Sequence, residues 1–168
     1  LWRRVEDATP PESGTHLEAR VALAAAALRA GRVARASQIA EITLRRQVPA
    51  GVAARLSGIR TRALMMAGDH ASARDEAERC SVTELFEPAD RAMNLAYAGW
   101  SSFMLGDIAG ARSAALRTDA MAAEADSCGA RVWALTLRGL IANCRGYLAR
   151  AESILSAAVA QAEKREAR

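Results

Sequence analysis

Few side chains in this 168-residue chain have the types and the spacing that catalysis or metal binding requires. The two histidines, His16 and His70, lie 54 residues apart, which does not indicate a metal-binding or acid–base pair. The sequence contains no G-x-S-x-G nucleophile elbow, no local Cys-His signature and no glycine-rich phosphate loop. We therefore expect a protein with no enzymatic activity, no cofactor and no metal site.

Acidic side chains are concentrated at Asp75, Glu76 and Glu78, where carboxylates close together could serve acid–base chemistry. Arg74 and Arg79 flank them. This pattern is typical of a solvated helix face with local ion pairs, each worth about 0.2–0.5 kcal/mol. We interpret the cluster as such a face and not as a catalytic site.

Aromatic, methionine and arginine side chains have instead the chemistry of a binding surface. Met93, Tyr97, Trp100 and Met104 follow one another at i, i+4, i+7 and i+11, which places them in one stripe along a helix. Aromatic faces stack on sugars or aromatic ligands, methionine adapts to apolar shapes, and arginine orients a carboxylate or phosphate. The predicted binding residues are Arg55, Arg62, Met66, Met93, Tyr97, Trp100, Phe103 and Trp133. The alternative is that the rings fill gaps between adjacent helices.

A six-residue phrase that begins with glycine and ends with alanine recurs four times and defines the helices that position these residues. Successive phrase glycines lie 37, 38 and 40 residues apart, with an apolar helical stretch on each side of every phrase. The phrases begin at Gly31, Gly68, Gly106 and Gly146. The repetition predicts a stack of four antiparallel helical hairpins, each with a first helix, a glycine turn and a second helix.

The positions around each turn glycine have predicted mechanical roles. The glycine ends the first helix in the left-handed conformation, and Asp69 and Asp107 cap the following helix. Small residues lie five residues after and seven residues before the glycine: Ala36, Ala73, Ala111 and Ala151, and Ala24, Thr61, Gly99 and Gly139. Because glycine inside a helix costs about 1 kcal/mol relative to alanine, Gly99 and Gly139 indicate places where two helix backbones nearly touch.

The predicted layout is one all-α domain over residues 15–168. Its helices lie at about 15–30 and 33–46, 51–67 and 70–81, 89–105 and 108–127, and 130–145 and 148–166. The corresponding units are about 15–48, 51–86, 89–128 and 130–166. Residues 1–14 are typical of the end of a preceding helix and a linker. Because the chain opens in this helix without an initiating methionine, we expect it to be part of a longer polypeptide.

The composition, 51% hydrophobic and 25% charged residues, is typical of a soluble globular protein. The chain has neither eighteen consecutive apolar residues nor a signal-peptide pattern, so we expect a cytoplasmic protein without membrane contact. Three cysteines without C-x-x-C spacing favour buried free thiols over a disulfide framework or a zinc site.

Positive charge is concentrated in residues 1–62, which contain eleven arginines and five acidic residues. Such a region could attract nucleic acid or an acidic partner. Four of the arginines fall on the predicted second helix of the first hairpin, where a solvated face is expected: Arg32, Arg35, Arg45 and Arg46. We therefore expect no direct DNA contact from this segment.

The register of small residues, turn glycines and alanines resembles the tetratricopeptide repeat (TPR) over about residues 15–166. The chain departs from that pattern where Arg60 and Arg138 replace a large apolar residue, and its units exceed the usual length of about 34 residues. The resemblance implies a divergent, right-handed superhelical α-solenoid whose first helices line a concave groove.

The phrases Leu137-Arg138-Gly139-Leu140, Leu1-Trp2-Arg3-Arg4 and Ala8-Thr9-Pro10, with Arg-Ala-rich helices, are similar to the helical-repeat region of large LuxR-type (MalT-like) bacterial transcription regulators. In that family an ATP-binding module precedes the repeats and a helix-turn-helix follows them; the sequence shows neither. The resemblance implies a sensor domain that binds a small-molecule inducer or a partner protein in the groove. Two alternatives stay open: a scaffold that grips a partner peptide or helix, and an assembly domain that forms homo-oligomers.

Overall fold

The computed structural model describes residues 13–166, together with Arg4 and Ala8, and this part of the chain contains helices and no strand. The helices are α1 (Gly14–Arg29), α2 (Val33–Leu44), α3 (Ala50–Met66), α4 (His70–Ser81), α5 (Pro88–Met104), α6 (Ile108–Glu124), α7 (Cys128–Cys144) and α8 (Leu148–Glu166). The predicted all-α class is confirmed, and each helix begins and ends within three residues of its predicted bounds. The helix end and linker predicted at residues 1–14 fall mostly outside the described residues, and Gly14 belongs to α1.

Glycine turns join the two helices of each hairpin, as predicted. Their φ angles are 70° at Gly31, 81° at Gly68, 82° at Gly106 and 78° at Gly146, in the region that side chains disfavour. The predicted aspartate caps are also present. The Oδ1 atom of Asp69 accepts a hydrogen bond from Ser72 N at 3.1 Å, and that of Asp107 accepts one from Gly110 N at 2.8 Å.

Helices that follow one another in the chain pack together along the whole described stack. In addition, α1 contacts α3, α3 contacts α5, and α5 contacts α7, whereas among the described helices no second helix contacts another second helix. The first helices therefore form a continuous layer, which we call the first-helix layer. This sequential packing is consistent with an α-solenoid.

Small residues make the close packing between helices possible. The alanines five residues after the turn glycines are at most 4% exposed. The small residues seven residues before the same glycines are all buried. A Cβ atom on Gly99 would lie 2.9 Å from both Ala114 Cβ and Leu137 Cδ2, so α6 and α7 crowd this position. The nearest backbone atom of another helix to that Cβ is Ala111 O at 3.7 Å, whereas at Gly139 the three nearest atoms all belong to the Leu155 side chain, whose Cγ would lie 2.6 Å away.

The burial of the three cysteines differs in part from the expectation that their thiols are buried. Cys80 is buried and Cys128 is half-buried, but Cys144 is exposed. The reason is its register, since Cys144 lies two residues before a turn glycine, as do Met66 and Met104, which are 56% and 50% exposed. This position faces solvent in successive hairpins, so the prediction of three buried thiols is wrong for Cys144.

The arginines around α2 are exposed, as predicted: Arg32, Arg35, Arg45 and Arg46. Arg45 Nη2 lies 2.7 Å from Glu41 Oε1, in an i,i+4 ion pair open to solvent. Among the described residues, no helix combines the length and the apolar character needed to cross a membrane.

Candidate functional site

All eight predicted binding residues lie on the first-helix layer. Arg55, Arg62 and Met66 are on α3; Met93, Tyr97, Trp100 and Phe103 are on α5; and Trp133 is on α7. Because α5 contacts both α3 and α7, the fold places residues that are distant in sequence on adjacent helices.

Four rings from α5 and α7 form one connected group, which we call the aromatic cluster: Tyr97, Trp100, Phe103 and Trp133. Trp133 lies at its centre, with ring centroids 5.5 Å from Tyr97 at an interplanar angle of 86° and 5.4 Å from Trp100 at 87°. Trp100 and Phe103 are 6.4 Å apart and tilted by 44°. Edge-to-face pairs of this kind contribute about 0.5–1.5 kcal/mol beyond their burial.

Tyr97 belongs to the core between hairpins. Its side chain is 7% exposed and packs against Ala77 and Ala98, with Met93 at the edge of the group. Burial raises the pKa of the Tyr97 phenol, and the nearby positive charge of Arg62 acts in the opposite direction. The packing interpretation considered for these rings therefore describes Tyr97.

The other three rings are only half-buried: Trp100, Phe103 and Trp133. Phe103 packs on one side against the core group of α6 and α7 that includes Ala111 and Leu137. Trp100 and Trp133 hold each other in place while keeping part of their surface in solvent. These two indoles offer a rigid, partly apolar surface that spans two hairpins.

The residues on α3 have separate surroundings. Arg55 forms an ion pair with Glu18 of α1, with 2.5 Å between Nη2 and Oε2. Arg62 is exposed and forms no ion pair with any residue that the structure describes, and its positive charge opposes the rise that burial causes in the pKa of the Tyr97 phenol. Met66 is exposed. Arg62 is thus a cation beside the aromatic cluster, whereas Arg55 ties α1 to α3.

One carboxylate of the cluster on α4, that of Glu76, is more buried than expected, whereas Asp75 and Glu78 are exposed. The side chain of Glu76 is 10% exposed and lies 3.1 Å from Arg60 Nη1 and 2.9 Å from Arg79 Nη2. Arg74 and Asp75 form a looser pair at 3.5 Å. The predicted local pairing is confirmed, but the prediction of a solvated face is wrong for Glu76 because Arg60 reaches it from α3.

Sequence reasoning missed a cleft of about 140 Å³ between α6, α7 and the start of α8. Its polar lining consists of Arg112, Arg138, Arg145, Arg150 and Tyr147, and we call it the arginine cleft. Arg138 stands out in the sequence as a departure from the repeat pattern. The other arginines give no such signal, because they come from different helices and only the packing brings them together.

The first-helix layer combines flat rings, an adaptable methionine and a cation, a set that suits recognition of a bound molecule. Within the described residues, no group of three His, Cys, Asp or Glu side chains is placed to hold a metal ion. Comparison with protein-family models and with curated proteins gives no match for this chain.

Proposed function

We propose that this chain is a non-catalytic binding domain that holds a small molecule or a partner on its first-helix layer. The observation that carries the proposal is the contact between Trp100 and Trp133, two half-buried indoles on different hairpins. Indoles that are fixed by each other and open to solvent present apolar area at little cost in conformational entropy.

We further propose that the domain acts as a cytoplasmic sensor within a larger LuxR-type transcription regulator, as the sequence resemblance implies. In a right-handed superhelix the first helices line the concave side, so a ligand touching Trp100 and Trp133 would contact the third and fourth hairpins together. A ligand shifts a conformational equilibrium only through unequal affinity for the two states. A ligand that bridges α5 and α7 can meet this condition, because its contacts depend on how the two helices are arranged.

A partner peptide or helix is the second candidate, favoured by exposed methionines on the same layer. Met66 and Met104 lie at equivalent positions of neighbouring hairpins and are 56% and 50% exposed. Flexible thioether side chains in repeated positions suit an apolar helix laid across the hairpins.

A thermal-shift screen of the chain tests the binding domain. The panel contains disaccharides, aromatic carboxylates and amphipathic peptides, so that it separates a small ligand from a helical partner. We expect at least one class to raise the melting temperature of the wild type and to lose this effect in Trp100→Leu and Arg62→Gln. Arg32→Gln is the control, because Arg32 is an exposed residue of the first hairpin. This variant should keep the effect. A panel without any stabilising member, or one that stabilises all variants equally, contradicts the proposal.

A further inference from the structure

The arginine cleft lies on a different face of the fourth hairpin from the aromatic cluster. Arg138 follows Trp133 on α7 by five residues, which at about 100° per residue turns it roughly 140° away from that ring, and Arg145 comes directly after the end of α7. The walls of the cleft come from α6 and α8, the second helices of the last two hairpins. Any ligand held there is therefore separate from one held on the first-helix layer.

Positive charge in this cleft is largely uncompensated. Arg112, Arg145 and Arg150 are exposed and form no ion pair with any residue that the structure describes. Arg138 Nη1 lies 3.1 Å from Asp119 Oδ2, but neither Asp119 nor any other acidic residue that the structure describes lines the cleft. Like charges that converge on an indentation focus a positive potential, which attracts an anion.

The equivalent cleft of the preceding hairpin, between α4, α5 and α6, has a different charge. Arg74 occupies the position of Arg112, six residues after the turn glycine in each unit. Ten residues after the glycine, however, the preceding cleft has Glu78 where the arginine cleft has Leu116. The carboxylate that could balance the arginine is therefore absent from the arginine cleft, and the excess positive charge distinguishes this cleft from the preceding one.

The start of α8 adds a backbone donor that no described side chain caps. In the preceding unit Asp107 accepts a hydrogen bond from the backbone N–H of Gly110 at 2.8 Å. At the same two positions the last unit has Tyr147 and Arg150, and no side chain in the described part of the chain accepts from the N–H of Arg150. The positive end of the α8 dipole thus lies beside the arginines without the acidic cap that α4 and α6 have.

Apolar surface completes the cleft. Leu116, Ile141 and Ile154 line it beside the arginines, and Tyr147 stands at its edge, 58% exposed. A ligand therefore meets guanidinium groups on one side and hydrocarbon or a phenol ring on the other. This combination suits an organic group that carries an anion better than it suits a bare ion.

We propose that the arginine cleft binds the phosphate group of a small phosphomonoester. A phosphate dianion presents three terminal oxygens in different directions, so it can accept from several guanidiniums and from the first turn of α8 together. A carboxylate has only two oxygens in one plane and would leave part of this donor set unused. The apolar lining contacts the organic part of the ligand, which is a nucleoside or a sugar.

Isothermal titration calorimetry on the wild-type chain at low salt tests the site with three probes: inorganic phosphate, AMP and glucose 1-phosphate. We expect at least one ester to bind more tightly than inorganic phosphate, and which ester does so distinguishes a nucleoside from a sugar. Adenosine and glucose, which lack the phosphate, should bind at least about tenfold more weakly than their esters.

Matched arginine variants decide whether the cleft is the site. Arg112→Gln and Arg150→Gln should each weaken binding of the preferred ester about tenfold, whereas Arg74→Gln, at the equivalent position of the preceding cleft, should leave it unchanged. Arg112 and Arg150 are exposed and the Arg74 side chain is 33% exposed, and circular dichroism checks that the variants fold. Failure of every probe to bind, equal binding of adenosine and AMP, or an equal loss in Arg74→Gln would overturn the proposal.

Discussion

The indole rings of Trp100 and Trp133 meet almost at right angles, at 87°, with their centroids 5.4 Å apart. Trp100 is on α5 and Trp133 is on α7, so this contact joins the first helices of the third and fourth hairpins. It gives the same pair of residues two roles, in the stability of the stack and in the surface that the stack presents.

Truncating Trp133 should destabilise the fold. Trp133→Ala removes the contacts with both Tyr97 and Trp100, and we expect the free energy of unfolding to fall by about 2–3 kcal/mol. Trp133→Phe keeps a ring in place and should lose less. Urea denaturation followed by circular dichroism measures both. An unchanged midpoint for Trp133→Ala would show that the ring lies outside the packing between hairpins.

Gly99 should not tolerate a methyl group. Because the added Cβ would lie 2.9 Å from atoms of both α6 and α7, the overpacking cost of about 1–3 kcal/mol should exceed the gain in helix propensity of about 1 kcal/mol. Gly58, inside α3, has no atom within 4 Å of the corresponding Cβ. We expect Gly58→Ala to stabilise the protein and Gly99→Ala to destabilise it, as measured by urea denaturation. The same sign for both variants would refute the close approach.

Much of the fold could be predicted because its determinants are local. A turn glycine with positive φ, the aspartate beside it and an alanine five residues later depend on the backbone around them, so the hairpins and their helix bounds follow from the sequence. The pairing of Arg60 with Glu76 could not be predicted in the same way. Arg60 replaces an apolar residue of the repeat, and the partner that compensates for this change lies on another helix.

The ion pairs of Glu76 should contribute to stability. Glu76→Gln leaves Arg60 and Arg79 without their carboxylate, and we expect a loss of about 1–2 kcal/mol in the free energy of unfolding. Asp75→Asn is the matched control, since the Asp75 side chain is 72% exposed and its loss should stay within about 0.5 kcal/mol. If chemical denaturation gives equal midpoints for the two variants, Glu76 has no structural role.

Alkaline pH should weaken the fold through Tyr97. Burial raises the pKa of this phenol in the folded state, whereas in the unfolded chain it is about 10. The folded state therefore holds the proton more tightly, and its stability falls as the pH rises above about 10. Urea midpoints between pH 8 and 11 should fall less steeply for Tyr97→Phe than for the wild type. The exposed Tyr147→Phe control should follow the wild type, and identical slopes for all three proteins would contradict the burial of Tyr97.

The candidate sites could be predicted from the sequence less well than the fold. Tyr97 and Trp100 belong to one helical stripe, and the difference in their burial depends on how α4 and α7 pack against α5. The arginine cleft gathers side chains from three helices, between Arg112 and Arg150. Such arrangements depend on packing between hairpins, which the regular spacing of the turn glycines does not specify.

The central claim is that a ligand binds to the first-helix layer at the aromatic cluster. The most direct test is to measure the dissociation constant of such a ligand in the wild type and in two variants. For a compound that stabilises the wild type in the screen, we expect Trp100→Leu to weaken binding at least about tenfold and Arg112→Gln, in the separate arginine cleft, to leave it unchanged. Isothermal titration calorimetry of the three proteins gives the comparison. Equal affinity for the wild type and Trp100→Leu would contradict binding at the aromatic cluster.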